Sequence, residues 1–224
     1  MNYLVVVAHP DDEVLGCFAT VAKLINSGCE AYSLILSGGK TSRGETTSDE
    51  LHVLKREMVK ANHLIGVKKV FCADFPDNSF DSVPILRIVK EIEKIKDLIK
   101  PDIIFTHHIG DLNIDHQITH KAVLTATRPM QDESVKVIYS MEIPSSTEWN
   151  AFTRETSFIP NVFFNVSDTI DKKVEAMGLY HSELREYPHP RSLRFIKESA
   201  QINGARVGIE YSENFMLVRS VVNE

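Results

Sequence analysis

The chain has 224 residues, 43% of them apolar and 25% charged, and a net charge of −6, which suits one large domain spanning 1–224 with a substantial core. The acidic balance, without a long basic run, excludes a nucleic-acid surface built on phosphate contacts. No apolar stretch approaches the roughly 18 residues of a membrane span, and the N-terminus lacks the basic region of a signal peptide, so a cytoplasmic location is expected.

"YLVVVA" (3–8) is a short valine-rich run, the pattern of a strand buried on both faces. Residues 12–27 carry apolar positions at helical spacing and stop at Gly28. A second strand follows over 31–37, then the polar loop "SGGKTSRGETTS" (37–48). The spacing predicts a helix over 49–65 ending at Gly66, a strand over 69–73 and a loop "FPDNSFDS". A helix over 82–100, a strand over 102–107, the loop "HIGDLNID" and a helix over 115–128 come next. The remainder reads as strands at 135–140 and 161–166, helices near 168–184 and 191–203, and a final strand at 214–222. Strand–helix alternation predicts an α/β fold: a mostly parallel sheet with helices on both faces. The three cysteines, Cys17, Cys29 and Cys72, are odd in number and lack metal-type spacing. They read as reduced, mostly buried thiols.

In such sheets ligands bind beyond the carboxyl ends of the strands. The polar clusters fall at that edge: His9–Glu13, the glycine loop after the second strand, Asp74–Asp81 and His107–His116. Four loops distant in sequence are therefore expected to converge. His9 and Asp12 stand three apart across a turn stiffened by Pro10. A catalytic zinc takes three protein ligands and keeps one position open for water. His116 leads as the third ligand, with His107, His108 and His120 as rivals. Asp11 is left beside the metal as a base for water whose pKa zinc lowers to about 7. Asp115 is placed to orient a ligand. The plainer reading is that Asp11, Asp12 and Glu13 only cap a helix and complement its dipole.

"AHPDDEVLGC" followed by "GDLNIDHQITHKAV" resembles the LmbE-like (PIG-L) family of zinc-dependent N-acetyl sugar deacetylases. "LKRE" (54–57), "FPDNSFD" (75–81), "IPSSTEW" (143–149) and "HPRSLRFI…GARVGIEYSENFMLVR" extend the resemblance over nearly the whole chain. It implies a Rossmann-like three-layer sandwich. It also implies one zinc per chain on His9, Asp12 and His116, with Asp11 as general base and sugar contacts from Arg56 and Asp77. The implied substrate is an N-acetylated amino sugar or its glycoconjugate, and the implied assembly a homo-oligomer, trimer or hexamer. Some members carry a catalytic histidine three residues before the metal histidine. Asn113 stands there in this chain and can donate a hydrogen bond but not act as an acid. His189, between Pro188 and Pro190, is then expected to donate to the oxyanion, because members use a histidine from this region.

Lesser features have two readings each. "SGGKTS" (37–42) resembles a phosphate-binding loop, or simply borders the site. Trp149 either stacks on a sugar or covers core. Arg56 is a sugar contact or a solvated helix charge. Phe75 and Phe80 line the mouth or pack beneath the loop, and Tyr180 reads as core. Two rival functions are an iron(II) oxygenase with a His-x-Asp triad on an all-β frame and a non-catalytic sugar- or nucleotide-binding module.

Overall fold

The computed structural model describes residues 1–39 and 47–222. Strand β1 (Asn2–Val7) leads into helix α1 (Asp12–Asn26), and β2 (Glu30–Ser37) precedes α2 (Ser48–Ile65). Strand β3 (Lys69–Phe75), helix α3 (Ile85–Ile99), β4 (Ile103–His107) and α4 (Ile114–Ala126) continue the alternation. After β5 (Val137–Met141) come β6 (Val162–Asn165), α5 (Ile170–Gly178), α6 (Leu193–Ala205) and β7 (Ser212–Ser220).

The seven strands form one sheet in the order β3-β2-β1-β4-β5-β7-β6. The first five are parallel, and β7 runs antiparallel between β5 and β6. Side chains of successive strand residues point to opposite faces. Tyr3, Val5 and Val7 therefore enter a core with α1, α2, α5 and α6, while Leu4, Val6 and Ala8 enter one with α3 and α4. Helices on both faces explain why β1 is buried at every position from Tyr3 to Val7. Each fully buried Leu or Val there contributes about 1.5–3 kcal/mol. This parallel α/β sheet is not the all-β frame that the iron(II) oxygenase reading requires.

Connections leave β1 toward β2 on one side while β4 lies on the other, so the crevice opens at the carboxyl ends of β1 and β4, a topological switch point. Residue Gly16 brings α1 close to β5. A Cβ added there would overlap the Met141 thioether. No helix among the described residues is long and apolar enough to cross a membrane. The cysteines differ from expectation: Cys17 is buried, but Cys29 is half-buried and Cys72 exposed. Of the glycine loop, Gly38 and Gly39 follow Ser37, the last residue of β2, and Gly39 N–H donates to Ser37 Oγ. Lys40–Ser42, on which the phosphate-loop reading depends, lie outside the described residues.

Candidate metal centre and active site

The turn after β1 is built around Asp11, whose φ of 92° is left-handed. That region is uncommon for a residue with a Cβ and is a form of local strain. Glu13 holds it in place: its Oε2 accepts the Asp11 N–H at 3.1 Å. Oε1 of Glu13 takes bonds from the Tyr180 hydroxyl and Asn62 Nδ2. Burial of this carboxyl, eased by the Tyr180 bond, pushes Glu13 up to about 8. Tyr180 is thus a core residue whose hydroxyl supports the turn. Asp11 occupies the N-cap position of α1, yet its side chain makes no capping bond. The plain capping reading therefore does not account for its carboxylate.

Three ligand-capable atoms meet beside this turn. His9 Nδ1 lies 3.4 Å from Asp12 Oδ2 and 3.3 Å from His116 Nε2. His116 Nε2 lies 3.3 Å from Asp12 Oδ2. Ligand bonds of about 2.0–2.1 Å in a tetrahedral site place neighbouring ligand atoms roughly 3.3–3.4 Å apart. The triangle therefore fits three corners of a zinc tetrahedron, and these residues form a metal-capable group among those described.

Electrostatics point the same way. Burial opposes protonation of His9, but the Asp115 and Asp12 carboxylates outweigh it and push the imidazole up to about 9. His116 is likewise pushed up to about 10, against burial, by Asp12 and Asp111. Burial works to raise Asp12, but His116 and His9 hold it well below the carboxylate range. The pocket favours positive charge, which two protons supply and which a divalent cation would supply in their place.

Each imidazole is oriented from behind, as metal-binding histidines commonly are. Asp115 Oδ2 sits 3.0 Å from His9 Nε2, and its Oδ1 accepts the Phe80 N–H. Asp111 Oδ1 lies 3.2 Å from His116 Nδ1. Hydroxyls of Ser146 and Thr147 donate to Asp111, and with His116 they pull it down to about 2 against burial. Asp115 thus stands behind a ligand as the sequence suggests, and the ligand is His9; the matching role of Asp111 behind His116 has no counterpart in the sequence reading. Only the loop after β5 reveals Asp111's role, through "SST" at 145–147.

The rival histidines have structural partners. His107 Nε2 accepts the Ala8 N–H at 2.8 Å, and its ring stacks on His116 with centroids 3.9 Å apart. Burial keeps His107 well below the usual imidazole range. His108 Nε2 bonds Thr156 O, and His120 Nδ1 bonds His107 O.

A cavity of about 170 Å³ opens over the triangle. Asp11, Asp77, Asn78 and Asn113 line it, together with Ser145, Glu183 and Arg191. Asn113 caps α4 by accepting the Asp115 N–H and donates Nδ2 to Asn78 Oδ1. Asp77 Oδ1 lies 3.4 Å from His9 Nε2. The buried Asp11 carboxyl is pushed up to about 7 by desolvation, countered by Arg191 and reinforced by Asp12 and Glu183.

Three expected residues lie elsewhere. Arg56 is exposed on α2 and does not line the cavity, the position of a solvated helix charge. Trp149 is 55% exposed, neither core nor cavity wall. His189 is also outside the lining; its ring meets Trp149 edge-on. The charged group that the same segment delivers is Arg191, whose Nη1 stands 3.1 Å from Asp11 Oδ2. A side chain two residues from a proline-flanked histidine carries no mark in the sequence. Phe80 is fully buried and packs beneath the loop, with Phe75 edge-on to it.

Comparisons with known proteins agree with this architecture. The diacetylchitobiose deacetylase of Thermococcus kodakarensis is 27% identical over 95% of this chain and 81% of its own length. A probable N-acetyl-alpha-D-glucosaminyl L-malate deacetylase of Bacillus cereus is 27% identical over 81% of this chain and 83% of its own. The structure of the N,N'-diacetylchitobiose deacetylase of Pyrococcus horikoshii shares the fold, with a TM-score of 0.76 at 20% identity over 97% of this chain and 84% of that one. Residues 4–127, which include the triangle and the carboxylates behind it, match the model of the PIG-L family, described as GlcNAc-PI de-N-acetylase, and the chain belongs to that family.

Proposed function

We propose that this protein is a metal-dependent amide hydrolase that removes the acetyl group from an N-acetylated amino sugar of the N-acetylglucosaminyl type. The observation that carries the reading is the tetrahedral spacing of His9, Asp12 and His116 with a second carboxylate, Asp11, beside it and facing the same cavity. The two relatives named as deacetylases of acetylated sugars support the substrate class. A sugar-binding module has no use for a base next to a metal triangle.

His9, Asp12 and His116 would hold one zinc per chain. Such an ion supplies Lewis acidity, polarising an amide carbonyl and making water acidic near neutral pH. Asp11 takes a proton from the attacking water and returns it to the departing amine nitrogen. Its raised pKa suits both halves of that transfer, because a base titrating near 7 can also act as the acid. Asp115 holds the His9 ring and Asp111 the His116 ring. Asp77, Asn78 and Asn113, which line the same cavity, offer hydrogen bonds to sugar hydroxyls. The products are acetate and a free amine. A trimer or hexamer is the proposed assembly, and sedimentation of a monomer at micromolar concentration would exclude it.

The test is acetate release from a panel of N-acetyl sugars, including N-acetylglucosamine and N,N'-diacetylchitobiose, by zinc-loaded protein. Acetate release abolished by chelation and restored by zinc is the expected result. Metal binding without release from any member of the panel would overturn the reading.

A further inference from the structure

The segment 187–192 has the sequence "YPHPRS". Two prolines limit the backbone on either side of His189, yet the side chain delivered to the cavity is Arg191. Its Nη1 lies 3.1 Å from Asp11 Oδ2 and donates to Glu183 Oε2 at 3.1 Å, and its Nε donates to Ser145 Oγ at 2.8 Å. His189 stands behind it. The imidazole Nδ1 accepts the backbone N–H of Arg191 at 3.1 Å. Trp149 meets the other side of this arrangement, its ring centroid 5.8 Å from that of His189. Ser192 then caps α6 by accepting the Phe195 N–H, so the segment is tied at its far end.

We propose that Arg191 is a positioning residue for Asp11, and that His189 bears on the reaction only by aiming Arg191. The proposal rests on the reading of Asp11 as the base. Asp11 is 1% exposed, and its Oδ2 accepts no hydrogen bond of good geometry from any described residue. The ion pair to Arg191 is therefore the polar tie that sets where this oxygen points. Glu13 holds only the Asp11 backbone. The neighbouring carboxylates, Asp12 and Glu183, repel the Asp11 carboxylate and cannot hold it.

A guanidinium stays charged at any working pH, which rules it out as the proton donor and suits it to be a fixed cation. Its planar fork reaches the two carboxylates through Nη1 and Ser145 through Nε at once. A lysine ammonium, a single point on a flexible stem, does not reproduce that geometry. When Asp11 takes the proton from water, Glu183 remains as counter-charge to Arg191. Return of the proton to the leaving nitrogen restores the Asp11–Arg191 pair.

The two ring nitrogens of His189 make the assignment testable. Asparagine places its Oδ1 near the position of Nδ1, whereas glutamine places its amide near that of Nε2. The probes are acetate release from N,N'-diacetylchitobiose by zinc-loaded protein, metal content, and the Arg191 Nε–H resonance in a nitrogen–proton correlation spectrum. Arg191→Lys and Arg191→Ala are expected to keep metal and KM while kcat falls roughly 10²-fold, the scale of an acid–base contribution. Added guanidinium should restore part of the Arg191→Ala loss. His189→Ala should lose activity in the same way and shift the Arg191 resonance, and His189→Asn should recover both. Recovery by His189→Gln instead would mean that Nε2 acts at the reaction and would overturn the proposal. Unchanged kcat in Arg191→Ala would overturn it too. If wild-type protein is inert on the sugar, the functional reading fails separately. The spectrum then decides: Asp11→Asn and His189→Ala must each move the Arg191 resonance, and an unmoved signal rejects the linkage.

Discussion

Asp115 Oδ2 lies 3.0 Å from His9 Nε2, so the imidazole turns Nδ1 toward Asp12 and His116. The orientation of His9 is thus set by a residue more than a hundred positions away in sequence. Asp115 in turn is held by the Phe80 N–H. Asp115→Asn is expected to keep the fold while lowering zinc affinity about 10- to 100-fold, the usual cost of losing such a partner. Competition against a chromophoric chelator measures it, and unchanged affinity would remove Asp115 from the design.

The choice of His116 over its rivals has a direct check. His116→Ala should abolish the stoichiometric metal measured by elemental analysis. His108→Gln and His120→Gln should retain about one ion per chain, the number an open three-ligand site requires. Both of those rings are already bonded to backbone carbonyls. Loss of metal in His120→Gln with retention in His116→Ala would reverse the ligand assignment.

Asp11 faces the cavity without being one of the three converging ligands. Asp11→Asn should therefore bind zinc normally yet lose on the order of 10²- to 10⁴-fold in turnover, as expected for a general acid–base group. Metal content and turnover measured on one preparation separate the roles. A metal-free variant would make Asp11 a ligand.

Metal-stripped protein should show a distinctive pH dependence. His9 and His116 are raised to about 9 and about 10 in the fold, against about 6.5 in an unfolded chain. A raised pKa stabilises the fold fully below the unfolded value, and that stability is lost as pH rises through the folded value. Chelated protein should accordingly lose thermal stability between about pH 6.5 and 10, the span of these shifts. Zinc should stabilise most at the alkaline end, where no protons compete for the ligands. Melting curves with and without metal test this, and His116→Gln should flatten the metal-free profile. A metal-free melting temperature that rises through this window contradicts the assignment.

Gly110 packs where a side chain has no room. A Cβ there would lie 2.5 Å from the Thr156 Cα and carbonyl oxygen, both backbone atoms that cannot rotate away. Gly110→Ala should destabilise the protein by about 1–3 kcal/mol, the range for overpacking. It should also weaken metal binding, because the neighbouring Asp111 aims His116. Urea midpoints together with zinc titration measure both effects.

Much of this was legible in the chain itself, for local reasons. Apolar runs without polar interruption marked strands covered on both faces, and their alternation with helical periods implied a parallel sheet. A parallel sheet brings the loops at its carboxyl edge together, so His9, Asp11, Asp12 and the His107–His116 loop read as one cluster from the chain alone, while His116 is singled out within that loop by the family resemblance. What tertiary structure alone decided were contacts between side chains that no periodicity relates. Asp115 pairs with His9 rather than its neighbour His116 because α4 turns it toward the β1 loop. Asp111 needed the Ser146 and Thr147 hydroxyls from the loop after β5. Trp149 and His189 stood out by composition and by flanking prolines, but a backbone turn sends Arg191, not His189, to the cavity. Arg56, named by motif, faces away because its position on the turn of α2 points outward. Sequence spacing determines which face of an element a residue occupies; which distant partner that face meets depends on the packing of the whole sheet.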